Sequence, residues 1–111
     1  MSDFGLEVSE RQGVAVMSVT GSVDLTTAPE LRERLLALIA EGHTCIVADL
    51  SQTDFLDSTG LGALVGALKR LRSKDGEIRL VCAEGQVRKV FAITRLDQVF
   101  SMHQTLEGAL G

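Results

Sequence analysis

The stretch Asp54-Phe55-Leu56-Asp57-Ser58-Thr59-Gly60-Leu61-Gly62 joins a short apolar run to a long amphipathic one, and the elements on either side of it set the fold. Upstream, Cys45-Ile46-Val47-Ala48 is continuously apolar and runs into Asp49, which predicts a strand covered on both faces over residues 45–50. Downstream, Leu61, Leu64, Val65, Leu68 and Leu71 recur at helical spacing and predict a helix from about Thr59 to Lys74. Asp57 and Ser58 are both good N-cap types for it. Lys69, Arg70, Arg72 and Lys74 carry the sign that suits the negative end of the helix dipole, and Asp75-Gly76 ends the helix.

Before this segment, Thr27-Ala28-Pro29-Glu30 fits a capping box, with Thr27 as N-cap, Glu30 reaching back and proline in the first turn. Leu31, Leu35, Leu38 and Ile39 make the apolar stripe of that helix, and Gly42 stops it. Phe4, Leu6 and Val8 alternate with Gly5, Glu7 and Ser9, the period of a half-buried strand. A turn over residues 10–13 and a strand over residues 14–19 complete an antiparallel hairpin. After the central helix come a strand at residues 78–82 and a third helix marked by Val87, Val90, Phe91 and Thr94. A short final strand at residues 98–102 and a closing helical turn at residues 105–110 follow. Strands alternating with helices imply parallel crossovers. The expected class is α/β: a mixed sheet of four to five strands with an N-terminal hairpin and about four helices, one domain over residues 1–111.

Composition narrows the function. Of 111 residues, 45% are hydrophobic, enough for one core without disulfide or metal staples. The longest apolar runs, such as residues 35–40, fall far short of the roughly 18 residues of a membrane span. Met1-Ser2-Asp3-Phe4 lacks the basic-then-apolar order of a signal peptide, so a cytoplasmic protein is expected. Eleven Lys and Arg against 15 Asp and Glu give a net charge of −4, the wrong balance for a phosphate-neutralising groove. With four Phe and no Trp or Tyr there is no aromatic ladder for bases, so direct nucleic-acid binding is not expected. Cys45 and Cys82 sit in apolar runs and read as buried free thiols.

The chemistry concentrates at Ser58. A hydroxyl at the start of a helix is exposed, and the helix's unpaired N–H groups would tolerate a phosphate on it. Gly60, Gly62, Ala63, Gly66 and Ala67 read as a bare helix face that a partner backbone or a bulky nucleotide approaches. The other reading makes Ser58 a plain cap and the glycines a device for tight packing on the sheet. Enzyme classes fare poorly. A phosphate-receiving aspartate domain needs an acidic cluster after its first strand and a lysine after its last parallel strand. This chain offers Glu10 and Glu84 there. His43 and His103 are distant in sequence from Ser58, and no Walker-type loop or metal-ligand spacing occurs, so neither a catalytic site nor a cofactor or metal is expected.

Asp57-Ser58-Thr59-Gly60-Leu61-Gly62, preceded by the strand at 45–50, resembles the signature of bacterial anti-sigma factor antagonists, the single-domain STAS proteins. Gly21-Ser22-Val23-Asp24 before the first helix and Val87-Arg88-Lys89-Val90-Phe91 with Thr94 and Leu96 extend the resemblance, in order, along nearly the whole chain. It implies a protein–protein switch. Members bind an anti-sigma factor that is also a serine kinase with a GHKL-type ATP site, and so release the sigma factor. The kinase phosphorylates the serine after the motif aspartate, here Ser58, and a PP2C-type phosphatase reverses this. Thr59 is a possible secondary acceptor. Asp24 is implied to lie beside the phosphorylation site, with Asp57, Thr59, Gly60 and Gly62 completing the partner-binding surface of a monomer. STAS domains also serve as scaffold subunits of stressosome-like or lipid-transport complexes without a phosphorylation switch.

Overall fold

The computed structural model describes residues 3–111. Strand β1 (Gly5–Arg11) and strand β2 (Val14–Val23) form the expected hairpin. The loop is only Gln12-Gly13, both at positive φ (55° and 79°), the backbone of a two-residue primed turn, so β1 runs on to Arg11 where a four-residue turn was expected, while β2 starts at Val14 as expected. Helix α1 (Ala28–Ala40), strand β3 (Cys45–Leu56), helix α2 (Ser58–Arg72), strand β4 (Glu77–Val81) and helix α3 (Gln86–Ile93) follow. A 3₁₀ turn over Leu96–Gln98, strand β5 (Ser101–His103) and the short helix α4 (Leu106–Leu110) close the chain. The sheet order is β1-β2-β3-β4-β5, antiparallel at the hairpin and parallel elsewhere. The class, the mixed sheet and the four helices are as expected.

Alternation along the strands sorts two cores. Met17, Val19, Ile46, Ala48, Leu50, Ile78 and Leu80 face α1, α2 and α3, where Leu31, Leu35, Leu64, Leu71 and Phe91 are fully buried. The intervening Val16, Val47 and Val81 lie on the opposite face under Ala109, Leu106 and Leu110 of α4. Arg79 Nη1 donates to Ala109 O at 2.7 Å and holds α4 there. Phe91 meets Phe100 edge-to-face with ring centroids 5.9 Å apart, tying α3 to the segment before β5.

Strand β3 is twice the expected length. It continues through Ser51-Gln52-Thr53-Asp54, a polar stretch that reads as loop, because Thr53 and Leu56 turn inward along it. Thr53 Oγ1 donates to Val19 O at 2.7 Å, a buried tie between neighbouring strands across the register shifts of the β2–β3 pair. β2 likewise reaches Val23, which pairs with Leu56. The connection from β3 to α2 therefore shrinks to Asp57 alone.

One thiol expectation changes in detail, and the expected stop of the first helix holds. Cys82 is buried but Cys45 only partly, and burial pushes both thiols above their ordinary range. Gly42, at φ 101°, does stop α1: its N–H reaches Ile39 O and that of His43 reaches Leu38 O.

Candidate functional site

The parallel pairing Val23↔Leu56 brings the ends of β2 and β3 side by side, so Asp24 and Asp57 leave the sheet as neighbours. Asp57 N donates to Val23 O at 3.1 Å, stitching the two exits together. Among the described residues no cluster of His, Cys, Asp and Glu has the makings of a metal site. His43 lies 3.9 Å from Glu41, and His103 shares a 2.8 Å hydrogen bond with Ser101.

Asp57 is the N-cap of α2. One oxygen, Oδ1, accepts from Thr59 N (2.9 Å), Gly60 N (3.2 Å) and Thr59 Oγ1 (2.5 Å). The Asp57 carbonyl accepts from Leu61 N at 3.0 Å, so the helix is engaged from its first residue. Ser58 is exposed, and its hydroxyl enters no hydrogen bond among the described residues, whereas Thr59 is half-buried with its hydroxyl committed to Asp57. This corrects the expectation of free N–H groups awaiting a phosphate: the Thr59 and Gly60 amides are already capped by a carboxylate. A phosphate on Ser58 would stand beside that negative charge.

Asp24 does not cap α2. Its Oδ1 accepts from Thr26 N (3.0 Å), Thr26 Oγ1 (2.7 Å) and Thr27 N (3.3 Å), and its carbonyl accepts from Ala28 N at 2.8 Å. The Thr26 bonds, then those of Thr27, hold its carboxyl below the usual carboxylate range. Asp24 thus orders the turn that leads into α1. The capping box expected from Thr27 and Glu30 is absent: Thr27 is already in helical conformation, and its hydroxyl accepts from Asp24 N and donates to Ser22 O. Thr27 does occupy the N-cap position, its carbonyl accepting from Glu30 N and Leu31 N, but its side chain caps nothing in the helix, and Asp24 orders the turn just before it.

The small residues of α2 divide between two faces. Gly60, Ala63 and Ala67 are buried, one helical stripe apart from the exposed Gly62 and Gly66. A Cβ at Gly60 would lie 2.5 Å from Leu56 Cδ1 and 2.7 Å from Val23 Cγ1, so glycine is what lets α2 start hard against the strand ends. At Gly62 and Gly66 nothing lies within 4 Å. Tight packing on the sheet thus describes Gly60, whereas Gly62 and Gly66 leave a bare surface, and Val65 of the expected apolar stripe is only half-buried.

Sequence reasoning missed two apolar side chains near this corner. Leu25 is 74% exposed and Phe55 is 52% exposed. Leu25 lines a shallow groove between α1 and α2 with Pro29, Arg32, Thr59 and Gly62. The overlooked signal was the spacing Asp24-x-Thr26, the same as Asp57-x-Thr59, which puts Leu25 where Ser58 stands in the other cap.

The chain is similar to known proteins along most of its length. An anti-sigma-B factor antagonist of Staphylococcus aureus is 30% identical over 105 residues, 95% of this chain and 97% of that protein. The crystal structure of an anti-sigma factor antagonist from Mycobacterium paratuberculosis superposes with a TM-score of 0.90 at 33% identity, covering 97% of this chain and 92% of the other. The Bacillus cell fate determinant SpoIIAA, solved in its phosphorylated form, superposes with a TM-score of 0.73 at 27% identity over 97% of this chain and 96% of its own. The STAS domain model matches residues 5–109, and with the five-stranded mixed sheet and the Asp57-capped helix in place the chain belongs to the STAS domain family.

Proposed function

We propose that this protein is an anti-sigma factor antagonist, a binding module rather than an enzyme, switched by phosphorylation of Ser58. In its unphosphorylated form it binds an anti-sigma factor carrying a GHKL-type serine kinase domain and so frees the sigma factor. The kinase ends binding by phosphorylating Ser58, and a PP2C-type phosphatase restores it. The protein acts as a cytoplasmic monomer, and residues 1–111 serve as one functional unit. The observation that carries this reading is the Ser58 hydroxyl, exposed and without a hydrogen bond among the described residues beside a helix cap, in a chain similar over 95% of its length to a named antagonist.

The partner surface centres on Ser58 with Asp24, Asp57, Thr59, Gly60 and Gly62. Gly60 contributes by seating the helix, and Gly62 by leaving room for the partner. A phosphate adds roughly −1.5 to −2 charges at pH 7. With the Thr59 and Gly60 amides already taken by Asp57, that charge meets a carboxylate and a desolvating partner surface. Burying charge without partners costs several kcal/mol, and each 1.4 kcal/mol is about tenfold in affinity.

Calorimetry with the purified kinase and nucleotide tests this. Unmodified protein and Ser58→Ala should bind alike, and phosphorylated protein at least about a hundredfold more weakly. Binding as tight after phosphorylation would overturn the switch. A scaffold role without a switch would show as no uptake of phosphate at all.

A further inference from the structure

Building on the reading of Ser58 as a phosphoacceptor, we propose that Asp57 decides which of two adjacent hydroxyls is modified, by tying up Thr59 and leaving Ser58 as the sole acceptor. Phosphoryl transfer from ATP forms a bond from the acceptor oxygen to the γ-phosphorus as the bridge to the β-phosphate breaks. ADP leaves, and the hydroxyl proton passes to a base of the kinase or to solvent. The acceptor oxygen must therefore face outward and be able to shed its proton in that direction.

Ser58 and Thr59 differ in this one respect. The Ser58 hydroxyl is on the surface and takes no hydrogen bond from or to the described residues. The Thr59 hydroxyl points back into the turn, donating to the Asp57 oxygen that also takes the Thr59 and Gly60 amides. A carboxylate oxygen that already holds three donors is a poor base for activating Thr59. To react, Thr59 would have to break a charge-assisted bond and rotate, and bonds of that strength correspond to roughly tenfold to a hundredfold in population.

The arrangement follows from backbone geometry and not from the serine itself. At the start of α1, Asp24 Oδ1 binds the amide and hydroxyl of Thr26 in the same way, and the residue between them, Leu25, is the one that projects. In both caps the aspartate pulls in the residue two positions on and turns the intervening side chain outward.

Site mapping by mass spectrometry, with the GHKL-type kinase and ATP, reads the choice directly. Phosphate should be found on Ser58 alone in the unmodified sequence, and Ser58→Ala should take up less than about a tenth as much. In Asp57→Ala and in Ser58→Ala/Asp57→Ala, phosphate should appear on Thr59, while Asp57→Asn, which keeps an oxygen acceptor, should restore selectivity. Hydroxyl-proton exchange by NMR on the unmodified protein gives a reading that needs neither kinase nor a cap variant: the Thr59 proton should exchange measurably more slowly than that of Ser58. Phosphate shared between Ser58 and Thr59, or equal exchange rates, overturns the selectivity while leaving the switch intact. No phosphate on either residue overturns both.

Discussion

The two turns that leave the ends of β2 and β3 are built alike from different sequences, Asp24-Leu25-Thr26-Thr27 and Asp57-Ser58-Thr59-Gly60. In each, one carboxylate oxygen takes the amide and hydroxyl two residues on and the amide three residues on. In each, the aspartate carbonyl accepts from the amide four residues on, closing the first turn of α2 in one case and the turn that leads into α1 in the other. They differ in what stands between: an apolar side chain in one, a free hydroxyl in the other. The cap is therefore generic scaffolding, and the difference in chemistry comes from the single residue it presents. The second difference is the fourth position, where Thr27 reaches back to the strand and Gly60 vanishes beneath it.

A negative charge placed on each presented residue should separate them most. Ser58→Asp is expected to lower affinity for the kinase partner about a hundredfold or more, and Leu25→Asp about tenfold, with unfolding midpoints unchanged. Equal losses in calorimetry would erase the distinction between hydroxyl and apolar positions. Loss at Leu25 alone would move the centre of the interface to α1.

The fourth position can be tested by stability. Gly60→Ala overpacks against Leu56 and Val23 and should destabilise by about 1–3 kcal/mol in urea unfolding. Gly62→Ala on the open face should be neutral or stabilising by up to about 1 kcal/mol, since glycine is a poor helix former. If the two variants unfold alike, the packing role of Gly60 is wrong.

Removing the caps probes the shared geometry. Asp57→Ala should cost about 1 kcal/mol, with Asn or Ser at the same position recovering most of it. Asp24→Ala should destabilise in the same direction but by less, because its turn keeps the Thr27 hydroxyl bonds to Ser22 O and Asp24 N.

The smallest effect is in the pH dependence. Asp24 has its carboxyl depressed by the Thr26 and Thr27 bonds, so the folded state releases that proton more readily than the unfolded chain. Its contribution is complete above the unfolded value near 3.9 and fades as pH falls through the lower folded value. The stability difference between the unmodified protein and Asp24→Asn should therefore shrink on acidification below about pH 4. A difference that stays constant to low pH would mean that the carboxylate charge adds nothing to the turn.

How much was legible beforehand depends on whether a signal was local. Leu31, Leu35 and Leu38, or Leu61, Leu64 and Leu68, repeat with the period of a helix, and Ile46-Val47-Ala48 reads as a covered strand, because burial of one face writes its period into the chain. Asp57 as a cap and Ser58 beside it were readable for the same reason, since capping involves neighbours in sequence. The polar second half of β3 carried no such period, because its place is fixed by the buried Thr53 bond to Val19, 34 residues away.

The sequence by itself determined the alternation of strands and helices, the hairpin, and the run Asp57-Ser58-Thr59-Gly60 at a helix start. Only the tertiary structure decided that Asp24 orders the turn before α1 while the Thr27 side chain caps nothing, that Gly60 is buried while Gly62 is open, and that Leu25 projects from that turn. The physical reason is that the pairing Val23↔Leu56 brings together residues 33 positions apart, and side-chain space and hydrogen-bond partners exist only once that pairing has formed.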